Sequence, residues 1–308
     1  MGETKQLLPA SGVYAALATP RRPNSIEGDA AALLDYLDAV VRAGVDGLVL
    51  FGSTGEFVHF DVGERMRLLM FAVRRSRVPV LVNVSHSTLA GAVELAEHSV
   101  DVGAAGVLLM PPYFYTYGDG QIARFYEDFV RLLGSKLSIY LYNLPSFTNP
   151  ISAELATGLL SSGAFAGIKD SSGKWQTFET LNSLQAKRPF NLLVGNESLY
   201  LRARVAGAQG IVSGVAAAMP ELLVAMDTAI RNSKLDRAQQ LNLRLEEFLE
   251  WLDKFPPIVG IKQTATARGW KHDELAVPLD EPTAEILSVF RHWLRNWIPM
   301  VLSECKLN

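Results

Sequence analysis

A lysine ends an apolar run in the middle of the chain, where an ammonium group is uncommon. The run and its continuation read FAGIKDSSG, residues 165–173. We predict a buried strand over Phe165–Lys169, on which Phe165, Gly167 and Lys169 share one face and Gly167 clears space beneath the lysine. A lysine in an apolar cavity can act as a neutral amine and add to a carbonyl carbon, which is Schiff-base chemistry. The alternative is a lysine that only extends its ammonium into solvent.

Two other apolar runs end in groups that suit the same chemistry. The segment GSTGE places Ser53 and Thr54 between glycines, where hydroxyl and backbone N–H groups can bind a carboxylate, although such residues also form ordinary turns. The segment YLYNLP places Tyr140 and Tyr142 on one strand face. We assign Tyr142 to proton transfer and Tyr140 to filling the protein interior. An amine, a phenol and a pair of hydroxyls at strand ends indicate chemistry on a keto acid.

Eight short apolar runs recur along the chain and alternate with amphipathic helical patterns. The runs are Val13–Thr19, Gly47–Phe51, Val80–Asn83, Gly106–Met110, Ser138–Asn143, Phe165–Lys169, Asn191–Gly195 and Gly210–Ser213. Alternation of strands and helices predicts a parallel sheet, and eight such units in roughly 220 residues predict a TIM (β/α)₈ barrel. An open doubly wound sheet is the alternative, but no GxGxxG follows the first run. In a barrel, the carboxyl ends of the strands would carry the active site.

Only helical patterns follow residue 220, so we predict an α/β barrel domain over residues 1–220 and a C-terminal helical region over residues 221–308. The predicted helices are Pro220–Ser233, Asp236–Phe255, Ile258–Arg268 and Thr283–Trp297. The apolar segment Leu287–Leu302 favours core or subunit contact over a cofactor site.

Composition limits the function classes. Hydrophobic residues make up 49% and charged residues 20% of 308 residues, as in a globular enzyme, and the net charge of −3 favours neither nucleic acid nor an anionic membrane as a partner. The five histidines show no metal-binding spacing, and no apolar run is long enough to span a membrane. A single cysteine, Cys305, and an N-terminus without a leader-like apolar core predict a cytoplasmic protein.

Three motifs together carry a family resemblance. GSTGE, YNLP and GIKDSSG begin at Gly52, Tyr142 and Gly167, and their order and spacing resemble those of the dihydrodipicolinate synthase / N-acetylneuraminate lyase family of class I pyruvate aldolases. The resemblance extends over nearly the whole chain and implies a homotetramer, built as a dimer of dimers, that needs no metal or organic cofactor.

The resemblance also implies roles for particular residues. Lys169 would attack the keto group of pyruvate or another 2-keto acid, and Tyr142 would move protons while held by Ser53 or Thr54. The same two hydroxyls would bind the keto-acid carboxylate. The backbone at Gly195 and Val212 would line the pocket near the lysine. Lys262, in a second Gly-Ile-Lys string, matches no nucleophile position.

Two departures from the family pattern bear on the substrate. Phe147 stands where the synthases use an arginine to bind the carboxylate of the aldehyde partner, and Phe114 stands where they use a second tyrosine. A phenyl ring can neither pair with a carboxylate nor relay a proton. We therefore expect aldol cleavage, condensation or dehydration of a 2-keto-3-deoxy sugar acid.

The alternatives within the family are a dihydrodipicolinate synthase, which condenses pyruvate with aspartate semialdehyde, and an N-acetylneuraminate lyase. Asn196 and Glu197 only partly resemble the acidic pair of those lyases. Outside the family, the alternatives are a non-catalytic keto-acid-binding protein and a metal-assisted hydrolase. The hydrolase is disfavoured because histidines and carboxylates do not cluster at the predicted strand ends.

Overall fold

A closed barrel of parallel strands forms the centre of the computed structural model, which describes residues 10–256, 258–270 and 274–306. The strands pair in sequence order, and the last closes on the first. They are β1 (Gly12–Ala16), β2 (Gly47–Leu50), β3 (Val80–Asn83), β4 (Gly106–Leu109), β5 (Ile139–Asn143), β6 (Gly167–Asp170), β7 (Asn191–Val194) and β8 (Gly210–Ser213). The predicted TIM barrel is confirmed, and the open sheet is wrong. The N-terminal stretch through residue 9, Pro257 and His272 lie outside the described residues.

Helices follow the strands and cover the barrel. They are α1 (Ala30–Arg42), α2 (Val62–Arg75), α3 (Leu89–Val102), α4 (Asp119–Leu133), α5 (Ala153–Ser161), α6 (Trp175–Gln185), α7 (Tyr200–Ala206), α8 (Val215–Ala218), α9 (Pro220–Arg231), α10 (Leu235–Leu252), α11 (Val259–Ala267) and α12 (Glu281–Cys305). Short polar side chains cap several first turns; the Asp61 carboxylate, for example, accepts from the backbone N–H of Glu64 at 2.7 Å. Helix α8 was not predicted, because its four residues continue the apolar character of β8.

Strand β6 begins two residues later than predicted. Phe165 precedes it, and the Phe165 ring meets Tyr126 of α4 edge-on, with the ring centroids 5.8 Å apart. Phe165 therefore faces the helical layer, whereas Lys169 lines a cavity at the barrel mouth. The prediction that these two side chains share a face is wrong. Alternate residues share a face only within a hydrogen-bonded strand, and Phe165 lies before β6 begins.

The C-terminal helix contributes to the core. The buried side chains of α12 include Leu287, Phe290, Leu294, Trp297, Ile298 and Val301. The Trp297 ring stacks on Phe248 of α10 with centroids 5.2 Å apart. The interpretation of this apolar segment as core is confirmed. Helix α12 is also longer than predicted at both ends and includes Pro299.

Candidate active site

Lys169 and Tyr142 lie side by side on neighbouring strands. They are register partners across the β5–β6 pair, so their side chains emerge at the same level and on the same side. Lys169 is 4% exposed and Tyr142 is fully buried. The Lys169 Nζ lies 4.0 Å from the centroid of the Tyr142 ring. This burial contradicts the alternative of a lysine that extends into solvent.

Gly195, directly after β7, is the glycine that makes room for the lysine side chain. A Cβ atom at Gly195 would lie 2.9 Å from Lys169 Cε and 2.0 Å from Ser171 Oγ. A Cβ at Gly167 would instead lie 2.2 Å from the main-chain oxygen of Asn191. The prediction that Gly167 clears space beneath Lys169 is wrong: Gly167 allows two strands to pack, and Gly195 accommodates the amine.

The GSTGE loop brings its hydroxyls to the same place. Ser53 Oγ and Tyr142 Oη are 3.2 Å apart, within hydrogen-bonding distance. A Cβ at Gly214 would lie 3.0 Å from Thr54 Oγ1, so Thr54 packs against the end of β8. A residue outside the loop also holds it in place, because Thr19 Oγ1 donates to the Gly55 carbonyl at 2.7 Å. The loop therefore places the Ser53 hydroxyl against the Tyr142 hydroxyl, on the residue whose ring faces the Lys169 amine.

Tyr140, two residues before Tyr142 on β5, is 2% exposed, and its hydroxyl accepts from Asn191 Nδ2 at 3.1 Å. It fills the barrel interior below the cavity, as predicted.

Polar contacts behind the lysine fix the strand ends. Asp170 accepts from Asn143 Nδ2 at 2.7 Å and from Ser172 Oγ at 2.8 Å, and burial raises the pKa of this carboxyl. Asn143 Oδ1 in turn accepts from the backbone N–H of Ile151 at 2.9 Å. These contacts face away from the cavity and hold the loops that follow β5 and β6.

One cavity of about 380 Å³ contains most of the sequence-predicted site. It is lined by Lys169, Tyr142, Ser53, Thr54, Gly195 and Val212. The structure therefore brings these six candidates together at the carboxyl ends of the strands. Phe147 is the exception: it is 59% exposed and lines an adjoining apolar cavity of about 450 Å³ that shares Ser53, Leu144, Pro256 and Ile258 with the first.

Phe114 lies further out. It is 90% exposed and contributes to neither cavity, whereas its neighbour Tyr113 lines the apolar one.

Three further polar residues belong to the cavity wall. Ser171 and Asp253 were given no role from the sequence, and Glu197 was named only as part of an incomplete acidic pair. Glu197 Oε1 accepts from Ser213 Oγ at 2.7 Å. Glu197 lies three residues after β7, and Ser171 directly follows β6, so its position at a strand end was the signal that could have identified Ser171. Asp253 follows α10, and no local pattern places it near the barrel mouth.

Helices α10 and α11 complete the cavity wall. Leu249 and Leu252 contribute from α10, and Gly260 and Ile261 contribute from α11. A Cβ at Gly260 would lie 2.3 Å from Leu252 Cδ2, so these helices pack closely. The C-terminal helical region thus forms part of the site.

Lys262 of α11 has other partners. It is fully buried, its Nζ forms an ion pair with Glu56, and it donates to the Glu274 carbonyl at 2.9 Å. Burial lowers the pKa of Lys262, and the Glu56 carboxylate opposes that shift. Lys262 lines neither cavity.

Across the described part of the chain, no three His, Cys, Asp or Glu side chains come together in a way that could hold a metal ion. Among the same residues, no helix has the length and apolar character needed to cross a bilayer.

A buried lysine beside a tyrosine, at the carboxyl ends of the strands of a TIM barrel, defines a class I aldolase. Comparison with known proteins agrees with this class: the model of the dihydrodipicolinate synthetase family matches residues 9–296. The chain belongs to that family and is a lyase.

Individual relatives span several activities. The chain is 27% identical to the 4-hydroxy-tetrahydrodipicolinate synthase of Kosmotoga olearia over 92% of this chain and 97% of the relative. It is 31% identical to the probable 2-dehydro-3-deoxy-D-pentonate aldolase YjhH of Escherichia coli K12, over 70% of this chain and 73% of the relative.

The same fold occurs in the crystal structure of YagE, a prophage protein of the dihydrodipicolinic acid synthase family from E. coli K12, in complex with pyruvate. The TM-score is 0.84 at 24% identity, over 92% of this chain and 98% of YagE.

Proposed function

We propose that the chain is a Schiff-base-forming aldolase whose nucleophile is Lys169 and whose substrate is pyruvate or another 2-keto acid. The observation that carries this proposal is the buried Lys169 amine, 4.0 Å from the Tyr142 ring, with Ser53 Oγ 3.2 Å from the Tyr142 hydroxyl. A nucleophile, a proton carrier and a hydroxyl that orients it are the groups that imine chemistry requires.

The steps follow from these positions. The Lys169 amine adds to the keto carbon and gives a carbinolamine. The hydroxyl of the carbinolamine leaves as water with the proton of the Tyr142 hydroxyl, which gives a protonated imine and the Tyr142 phenolate. In cleavage, this phenolate accepts the proton of the C4 hydroxyl. The C3–C4 electron pair then moves into the imine, releasing an aldehyde and leaving an enamine. Protonation of the enamine at C3 and hydrolysis release pyruvate and restore the amine. Deprotonation at C3 followed by loss of a hydroxide from C4 would make the enzyme a dehydratase.

Borohydride trapping tests this assignment directly. Reduction of the protein in the presence of pyruvate is expected to leave a stable secondary amine on Lys169, located by mass mapping of the modified peptide. The absence of an adduct from folded protein, with pyruvate and with larger 2-keto acids, would contradict the proposal. An adduct without turnover of any aldehyde or 2-keto-3-deoxy acid would favour the non-catalytic binding protein.

The polar groups of the cavity support a hydroxylated substrate. Ser171, Glu197 and Asp253 face the same space as Lys169, and hydroxyl and carboxylate oxygens can accept hydrogen bonds from sugar hydroxyls. No arginine occurs among the described residues that line this cavity. We therefore propose a 2-keto-3-deoxy sugar acid as the substrate class, which the similarity to the pentonate aldolase supports. The alternatives are a dihydrodipicolinate synthase and an N-acetylneuraminate lyase.

Phe147→Arg is expected to leave the protein without synthase activity. An arginine there would restore one group that pairs with a carboxylate, but exposed Phe114 still has no hydroxyl to relay a proton. The measurement is consumption of aspartate semialdehyde in the presence of pyruvate, with Phe147→Leu as the matched control. Condensation by the arginine variant alone would show that Phe147 by itself determines the substrate.

Thr54→Val is expected to raise the concentration of pyruvate that gives half-maximal trapping at Lys169. Valine keeps the shape of threonine but removes the hydroxyl. The loss of a hydrogen bond to a charged group costs about 1.5–3 kcal/mol, which corresponds to about 10- to 100-fold in affinity. Thr180→Val, on exposed α6 surface, is the control. An unchanged half-saturation in Thr54→Val would mean that this hydroxyl does not bind the carboxylate.

We further propose a cytoplasmic homotetramer, built as a dimer of dimers. The exposed rings of Phe114, Tyr115 and Phe147 support association through the surface beside the site. Light scattering on purified protein should give four chains of 33.7 kDa, and cell fractionation tests the location. In the same proposal, residues 1–220 form the barrel domain and residues 221–308 form a helical region.

A further inference from the structure

The Glu56–Lys262 contact joins the GSTGE segment, residues 52–56 and here called the hydroxyl loop, to helix α11, which forms part of the cavity wall. Glu56 is the last residue of GSTGE and is 7% exposed, while Lys262 lies in α11 and has no exposed surface. Both charges are removed from water, and each is neutralised by the other. When either partner of a buried ion pair is removed, the other is left as a buried charge without a counter-charge, which is strongly destabilising.

Glu56 is in turn tied to the residues that line the cavity. Its backbone adopts a left-handed conformation with φ of 54°, and its N–H donates to the Ser53 carbonyl at 3.0 Å. This turn contains Ser53 and Thr54. The side chain of Glu56 points to Lys262, so the ion pair holds a backbone conformation that non-glycine residues rarely adopt.

Lys262 also contacts the segment that lines the adjoining apolar cavity. Its Nζ donates to the carbonyl of Glu274, and residues 275–279 directly afterwards line the apolar cavity. Gly260 and Ile261, just before Lys262, line the cavity that contains Lys169. The Lys262 ammonium therefore connects three parts of the chain: the hydroxyl loop, helix α11 and the segment that begins at Glu274.

Two other charged groups act on Lys262: the Glu274 carboxylate, which favours its charged form and raises its pKa, and Arg21. The Arg21 guanidinium, 8% exposed, is a like charge that lowers the pKa of Lys262, and it donates to the Ile26 carbonyl at 3.0 Å. Within the described residues, Glu56 is the carboxylate that pairs with Lys262.

We propose that Glu56 and Lys262 are a positioning pair, which holds the Ser53 and Thr54 hydroxyls where they bind the keto-acid carboxylate. The inference rests on the proposed function of those hydroxyls. Neither member of the pair lines the cavity around Lys169. The pair therefore acts through the loop, and its loss should weaken keto-acid binding more than it slows the chemical step.

The test is a double-mutant cycle with Lys262→Met, Glu56→Gln and the double variant, read out by pyruvate-dependent borohydride trapping at Lys169. Each single variant is expected to raise the half-saturating pyruvate concentration at least tenfold, while the adduct yield at saturating pyruvate stays near that of the unmodified protein. The double variant leaves no unpaired charge. Its half-saturation should therefore rise by less than the product of the two single effects.

Asp227→Asn is the matched control, because Asp227 forms a buried ion pair with Arg204 at 2.8 Å in the outer helical layer. It should lower the thermal unfolding temperature and leave the half-saturation unchanged. If folded Lys262→Met also has a lower unfolding temperature but an unchanged half-saturation, the proposal is overturned, and the Glu56–Lys262 pair only stabilises the fold. If Lys262→Met does not fold, Glu56→Gln decides by the same criterion. Failure of the unmodified protein to form any adduct would instead contradict the proposed function, and with it the role of the pair.

Discussion

Replacing Lys169 by alanine is expected to abolish turnover of every 2-keto acid substrate and to remove the borohydride-trapped adduct. In the proposed mechanism, the reaction needs a covalent bond between the substrate and this amine, and within the described ranges Lys169 is the lysine that lines the cavity. Loss of a nucleophile lowers the rate by several orders of magnitude, so we expect a fall of about 10⁴-fold or more. The measurements are steady-state turnover and mass mapping after reduction.

Two further variants separate lost chemistry from lost structure. Lys169→Met keeps most of the side-chain volume next to Gly195 and should be equally inactive, with a thermal unfolding temperature close to that of the unmodified protein. Lys174→Ala removes an exposed lysine five residues further along the chain and should retain full activity. Appreciable turnover by Lys169→Ala would show that the reaction does not proceed through an imine at this residue.

The barrel was predictable because its signals are local. Each strand is a short apolar run, and Val80–Asn83 and Gly210–Ser213 match the predicted bounds at both ends. Lys169 and Tyr142 were predictable for the same reason, since a TIM barrel collects strand ends at one face. Once the barrel is predicted, a polar residue at the end of an apolar run can be assigned to this face from the local sequence alone.

Contacts between strands were harder to predict. Gly195 and Lys169 belong to different strand ends, and the chain pattern does not show that one makes room for the other. The assignment of that role to Gly167 assumed that the relevant space lies along the same strand. The pair Glu56 and Lys262 is separated by most of the barrel in sequence, so only the folded arrangement reveals it.

The helical region shows the same limit. Its amphipathic patterns predicted α9, α10, α11 and α12, but a pattern indicates only that one face is buried, and not what covers it. The wall that α10 and α11 build at the barrel mouth follows from close packing at Gly260 against Leu252. That residues of this region line the cavity is therefore a structural finding.

Tyr142→Phe is expected to lower kcat about 10²- to 10⁴-fold, which is the usual contribution of a positioned acid or base. The imine with pyruvate should still form, so the adduct at Lys169 remains while aldol cleavage is nearly lost. Tyr140→Phe is the matched control on the same strand. Its hydroxyl accepts from Asn191 Nδ2 at 3.1 Å beneath the cavity, so its loss should cost about 1 kcal/mol of stability and leave cleavage intact. Full cleavage by Tyr142→Phe would assign the proton transfer to another group, and Ser53, 3.2 Å from the Tyr142 hydroxyl, would be tested next.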